Sequence, residues 1–337
     1  FGVFVNSVLP VASIFFIGLW MGRKNIFQLS DASLFFRFVG QIAVPAIIFS
    51  ILLSTDFSSL DLNLIWFYLL AELLVYSLGF SIARFALRLN TAYAILVGMA
   101  CSFSNHVLFV LPISNFIFDP IATLPIRGAI AIDCLSLTLS TIWLDVVNSS
   151  RSGKPFRLLN HFKNPLMISL FICSPFVFGI INSPVIFMRL ADFIALSAAP
   201  LALFASGILL SEKVSLKGLK IAFLITSVKT IIYPLVSFLI LIKFLDYPFD
   251  SARTILMVAA APVGLMPMTF ASKYRVETSS IALAMLWTFF ISLILIPIIA
   301  ADERLFVNII DYLVNWSGLK EPGLRLAARG SMMGGQS

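Results

Sequence analysis

Stretches of mostly apolar residues, each about long enough to cross a bilayer, recur through the chain between short polar connections. A helix needs about 20 apolar residues to cross hydrocarbon, and apolar character all round it, rather than on one face, marks a membrane or deeply buried setting. On this pattern spans are expected at 3–21, 34–53, 62–83, 91–117, 124–147, 165–182, 188–210, 216–243, 252–272 and 278–300. Beyond Ala300 the pattern changes. Leu305, Phe306, Ile309, Ile310, Leu313 and Trp316 share one helical face between Asp302, Glu303 and Asp311, which suits a helix lying in the membrane interface. Residues Gly318 to Ser337 are read as flexible. The chain opens at Phe1 with an apolar stretch too long for a signal-peptide core, and the stretch is read as a true span.

Composition agrees with a polytopic all-α membrane protein. The 337 residues are 60% hydrophobic and 12% charged, with mean hydropathy +1.03, whereas a soluble domain carries about 25% charged residues. Loops after odd-numbered spans hold fourteen lysines and arginines, among them Arg23, Lys24, Arg84, Lys154, Lys163, Lys213 and Lys273. Loops after even-numbered spans hold Arg127, Arg189, Lys243 and Arg253. The positive-inside bias therefore places both termini on the non-cytoplasmic side. Topology and anionic headgroups account for the net charge of +7, so no nucleic-acid partner is implied. Cys101, Cys134 and Cys173 lie within spans without CxxC spacing and read as small buried residues.

The chain repeats itself. Pro10 and Pro165, Pro45 and Pro200, and Pro112 and Pro267 share an offset of 155 residues, as do Phe16 and Phe171, Phe38 and Phe193, and Phe49 and Phe204. About 0.4 proline coincidences are expected by chance at one chosen offset, so the triple points to an internal repeat. A two-residue drift then aligns Glu72 with Lys229 and Tyr76 with Tyr233. Five spans per unit is an odd number, so the second unit, 151–300, runs inverted relative to the first, 1–150, with a tail at 301–337.

Two spans carry breaks at equivalent places. The fourth contains Ser102, Ser104, Asn105 and His106 at mid-membrane depth with Pro112 beyond, and the ninth contains Pro262, Gly264 and Pro267. Prolines remove amide donors, and irregular backbone at that depth is tolerated only inside protein or along a cavity. Paired broken helices in inverted halves point to a transporter's substrate site, where half-helix N-termini face an anion. A pair of packed proline kinks is the plainer reading. Asn105 is the leading candidate ligand, because its amide donates to a carboxylate or caps a half-helix without carrying charge. Met266 and Met268 offer an adaptable apolar wall, or ordinary packing.

The pattern PxGxxPxxFAxxYxV, running from Pro262 through Val276, resembles the crossover segment of the auxin efflux carrier family, which includes plant auxin carriers and bacterial malonate transporters. Asn105 followed by Pro112, Lys163-Asn164-Pro165-Leu166, and Thr288 through Pro297 resemble the same family over nearly the whole ten-span region. The chain departs from it at Val107 and Val110, where the family carries glycines. The resemblance implies a fold like that of sodium/proton antiporters and bile-acid symporters: ten transmembrane helices as two inverted five-helix repeats, with spans 4 and 9 broken at a crossover. It also implies a scaffold of spans 1, 2, 6 and 7, an elevator-like transport domain of spans 3–5 and 8–10, and a homodimer through the scaffold.

Intramembrane charges complete the candidate set. Glu72 and Lys229 sit mid-span, where an isolated charge costs about 3 kcal/mol or more on insertion scales. The repeat lets them pair, either to hold spans 3 and 8 together or as a proton-controlled site for a substrate carboxylate. Asp133 in span 5 is a candidate proton or coupling-ion site, and Asp145 reads as a solvated helix end. His106 is either a titrating group or a structural one.

These readings converge on a secondary transporter of a small organic anion, a carboxylate such as malonate or an auxin-like acid, in a bacterial inner membrane. It needs no cofactor, with proton or sodium coupling open. A sodium-coupled bile-acid-type symporter and a membrane sensor retaining the fold are the alternatives. No HExxH, GxGD or nucleophile elbow is present to suggest an enzyme.

Overall fold

The computed structural model describes residues 2, 4–55, 59–152, 165–177, 180–182, 185–211, 218–301 and 303–316. Lys154, Lys163, Asn164, Lys213 and the tail 318–337, all used in the sequence reading, lie outside the described residues. Helices are α1 (Phe4–Arg23), α2 (Leu29–Ser54), α3 (Leu62–Ala86), α4 (Thr91–Ser102), α5 (His106–Ile117), α6 (Leu124–Ser152) and α7 (Pro165–Val177). They continue as α8 (Val185–Leu209), α9 (Leu219–Phe244), α10 (Phe249–Ala259), α11 (Met266–Lys273), α12 (Ser279–Ala301) and α13 (Glu303–Trp316). Among the described residues there is no strand, only a single bridge between Ser104 and Val263. Seven helices (α1, α2, α3, α6, α8, α9 and α12) are long and apolar enough to span a membrane. Residues up to Ala301 form one compact unit, and α13 belongs to a second.

Short polar residues set the helix starts. Asp61 accepts from the amides of Asn63 and Leu64 ahead of α3, Asn90 accepts from the amide of Tyr93 ahead of α4, and Gln28 with Asp31 forms a capping box on α2. That box explains why α2 begins at Leu29 and not at the expected position 34, since its first turn is polar and capped. At the other end α3 and α9 stop alike. Arg88 and Asp246 both adopt φ 54°, with Leu89 N donating to Ala83 O at 3.0 Å and Tyr247 N donating to Leu241 O at 2.9 Å. The two closures stand 158 residues apart, in keeping with the drifted proline offset.

Packing sorts the helices into two neighbourhoods. In one, α1 lies along α8, and α2 lies along α7 and α8. In the other, α3 packs on α4, α6 and α9, while α12 packs on α9 and α10. The α1–α8 contact is backbone to backbone. A Cβ on Gly18 would lie 2.1 Å from the Phe204 carbonyl oxygen, and one on Gly207 would lie 2.1 Å from that of Phe15. Small residues permit such approach where the bilayer supplies no hydrophobic drive between helices. Cys101, Cys134 and Cys173 are buried as free thiols.

Several helices contain a π-helical turn, notably Val39–Ala43 in α2, His106–Val110 in α5 and Val228–Ile232 in α9. An extra residue in a turn changes which side chains face a neighbour, and such turns favour functional positions.

Gly207→Ala is expected to destabilise the α1–α8 contact by about 1–3 kcal/mol, seen as a lower melting temperature in detergent. Gly40→Ala, where a Cβ meets nothing within 4 Å, is expected to leave the melting temperature unchanged.

Candidate functional site

The breaks between α4 and α5 and between α10 and α11 face each other. Asn105 N donates to Pro262 O at 2.9 Å and Gly264 N donates to Phe103 O at 3.1 Å, forming the antiparallel bridge of Ser104 with Val263. Val263 N donates to Thr288 Oγ1 at 3.1 Å, and Ser292 Oγ donates to Ala260 O at 2.7 Å, so α12 supports the second break from behind. Peptide groups freed by the interruptions thus find partners within protein, as the hydrocarbon requires. Gly264 is needed for the approach, since a Cβ there would lie 2.5 Å from the Phe103 ring.

Lys229 reaches this crossover from the π turn of α9. Its Nζ donates to Ser102 O at 2.9 Å and to Ser104 Oγ at 2.5 Å, and Ser104 Oγ donates onward to Val258 O at 2.6 Å. Ser102 ends α4 and Val258 lies in the last turn of α10, so the ammonium bonds the carbonyl-rich, partially negative end of one half-helix directly and reaches that of the other through Ser104. The Tyr233 ring lies 4.4 Å from the ammonium and adds a cation–π contact.

The positive half-helix ends face elsewhere. A small cavity is lined by Phe103 to Leu108 and by Gly264 to Met266 at the starts of α5 and α11, with α2 and α6 as its other walls. Phe36, Val39, Val44, Ile48, Ile130 and Leu137 make it largely apolar, while Asn105, His106, Asp133 and Thr269 supply polar groups. Asn105 occupies the cap position of α5 but makes no side-chain capping bond, which leaves its amide to the cavity.

A carboxylate network adjoins this cavity. Tyr68 Oη donates to Asp133 Oδ1 at 2.7 Å, while Asp133 Oδ2 has no hydrogen-bond partner and lies 3.4 Å from His106 Nδ1. His106 Nδ1 lies 3.0 Å from Ser104 O, and since a carbonyl only accepts, Nδ1 carries the proton. His106 Nε2 is then an acceptor, buried and without a partner. Glu72 Oε2 accepts from Ser136 Oγ at 3.2 Å.

Of the residues singled out from sequence, Asn105, His106, Gly264 and Asp133 line the cavity, as does Met266. Pro262 belongs to the bridge and Pro267 opens α11. Pro112 is displaced from the break, which lies at residues 103–105. The π turn His106–Val110 absorbs the proline's missing donor and the helix runs through it. Glu72 and Lys229 form no ion pair, since Glu72 takes a serine of α6 and Lys229 takes the half-helix ends. Lys229, anticipated as a ligand for a substrate carboxylate, does not line this cavity, and its ammonium bonds Ser102 O and Ser104 Oγ. Thr288, Ser292, Tyr68 and Ser136 were not singled out as individual partners, although Thr288 and Ser292 stand one turn apart in an otherwise apolar span. Among the described residues no group of three or more His, Cys, Asp or Glu side chains could hold a metal.

Apolar spans and two interrupted helices that meet beside a largely apolar cavity fit an integral membrane protein of the transporter kind. The chain matches the model of the family described as "Membrane transport protein" over residues 3–154 and 148–300, and it belongs to that family, the auxin efflux carrier family. No curated protein sequence matches it.

Lys229→Met is expected to lower stability by about 2–3 kcal/mol, the scale of a lost charged hydrogen bond, because Ser102 O at the end of α4 and Ser104 Oγ lose their donor. Thr288→Val is expected to lose about 1–2 kcal/mol by leaving Val263 N unpaired. Thermal unfolding in detergent checks both, and unchanged melting temperatures would refute this account of the crossover.

Proposed function

We propose that the protein is a secondary transporter of a small organic anion, a carboxylate such as malonate or an auxin-like acid, working by elevator-type alternating access. The observation that carries this reading is the division of charge at the crossover. Lys229 covers the negative half-helix ends, while the N-terminal ends of α5 and α11 line the cavity with the Asn105 amide between apolar walls. Half-helix N-termini present free N–H groups and partial positive charge, and an amide donor needs no counter-ion. An apolar wall opposite suits the body of an organic acid.

The reading takes the chain as ten spans in two inverted five-helix repeats, in which α4 with α5, α10 with α11, and α7 complete the set begun by the seven long helices. It places a scaffold in α1, α2, α7 and α8 and a mobile domain in α3 to α6 and α9 to α12, which follows the two packing neighbourhoods. The cavity lies where α2 meets the crossover, so relative movement of the two groups would expose it to either side. Both termini would be non-cytoplasmic in a bacterial inner membrane, and α8, with Phe187, Leu190 and Phe193 exposed, offers a scaffold face to a second copy.

Asp133 is the favoured coupling group over Glu72, since it lines the cavity and keeps one oxygen unpaired. Lys229 already supplies a cation at the half-helix C-termini, which favours an anion carrier without sodium over a sodium-coupled bile-acid-type symporter. A sensor retaining the fold would bind the anion without flux.

Counterflow in proteoliposomes with malonate and indole-3-acetate tests the proposal. Saturable exchange is expected, reduced at least about tenfold by Asn105→Ala, whereas absence of exchange for both acids from folded protein would overturn it. Asp133→Asn is expected to flatten the pH dependence of that exchange, and an unchanged pH profile would remove Asp133 from the coupling role.

A further inference from the structure

A second and larger cavity shares Val107 with the first as a lining residue. Its walls are α1, α2 and α8 on one hand and α5 with the start of α6 on the other, and most are apolar, including Val11, Ile14, Ile47, Leu111 and Leu203. It contains one cationic side chain, Arg127, in the first turn of α6, and one anionic side chain, Asp192, on α8.

Arg127 is underused. Its Nη1 reaches Ser54 Oγ at 3.4 Å, a long contact, and its Nε is buried with no hydrogen-bond partner. No ion pair joins it to Asp192, whose Oδ1 instead accepts from Ser50 Oγ. A guanidinium held in an apolar cavity with an unmet donor invites an acceptor, and its planar fork matches a carboxylate in bidentate geometry. Asp192 limits what that acceptor belongs to. A second carboxylate near the α8 wall would meet like charge, whereas an apolar body would meet the aliphatic side chains around it.

We propose that this cavity is a second anion site, in which Arg127 holds the carboxylate of an apolar monocarboxylic acid and Asp192 excludes short dicarboxylates. The inference rests on the transporter reading for its purpose, as a waiting site between the crossover and the side that the α5–α6 connection faces, but its chemistry stands on Arg127 alone. A lipid phosphate could offer similar oxyanion chemistry, so the test separates the two sources.

The test is saturable binding of radiolabelled indole-3-acetate to the full chain in phosphatidylcholine nanodiscs, with Asn105→Ala removing the crossover ligand. Binding is expected to persist in Asn105→Ala and to weaken at least about tenfold when Arg127→Gln is added, with Arg127→Lys less severe. Malonate is expected to compete poorly. Asp192→Asn is expected to tighten indole-3-acetate binding and to admit malonate, a gain that misfolding cannot produce. No saturable binding in Asn105→Ala, binding indifferent to Arg127→Gln, or malonate binding unaffected by Asp192→Asn would overturn the proposal. Displacement by phosphatidylglycerol in the disc would assign Arg127 to lipid headgroups and overturn it equally. Arg127-dependent binding without any counterflow would leave this site standing while the transporter reading falls.

Discussion

Breaking a helix inside hydrocarbon frees peptide groups that no water can reach, and that constraint organises the rest of this protein. Each unsatisfied group costs several kcal/mol in such a setting. The two breaks answer by bonding to each other, through Asn105 N to Pro262 O and Gly264 N to Phe103 O. Two antiparallel half-helices nevertheless bring their carbonyl ends close together, and those ends repel. A buried ammonium is the remedy. Lys229, 0% exposed, would be prohibitive in the bilayer if it stood alone, and the bare carbonyl ends would be costly without it. Together each removes the other's penalty, and the charged pair of interest is a lysine with a helix end rather than a lysine with a glutamate.

That arrangement has a directional consequence. With the negative ends capped on the α9 side, the exposed electrostatics of the crossover belong to the half-helix N-termini, which line the cavity against α2. The π turns serve this division. In α9 the turn carries Lys229 towards the crossover, in α5 it places His106 beside Asp133, and in α2 the turn Val39–Ala43 lies at the cavity wall, where Gly40 leaves open space. Carboxylates are held on the same side of the bundle by neutral donors, Tyr68 for Asp133 and Ser136 for Glu72.

The helices were legible because hydropathy is a property of single stretches of chain. Seven of the expected spans fall on helices long and apolar enough to cross a membrane, the expected stretches 91–117 and 252–272 each fall on two shorter helices, and the two polar interruptions were recognisable from Asn105 and from Pro262 with Gly264. What escaped was relational. Pro112 looked like the mark of a break, yet a proline's missing donor can be absorbed by a π turn, which sequence does not announce. Glu72 and Lys229 looked like a pair because the repeat aligns them, but alignment between repeats does not by itself bring residues into contact. The partners Lys229 found are a serine hydroxyl and one backbone carbonyl oxygen, a group that every residue possesses and no composition reveals. Ser104 belonged to a polar cluster visible in sequence, and only the fold shows that its hydroxyl joins Lys229 to Val258 O.

The two valines at which the chain departs from the family resemblance occupy unequal positions. Val110 is fully buried and lines neither cavity, so its bulk acts on packing within α5's surroundings. Val107 borders both cavities, the one that holds Asn105 and the one that holds Arg127. A branched side chain at that point makes the wall they share apolar. Under the proposed transport, a ligand moving past it would shed water from its charged end, a step that costs less for an acid with one carboxylate than for a short dicarboxylate with two. Of the acids named for the proposed transport, that argument favours a larger apolar body with one charge over a small doubly charged one.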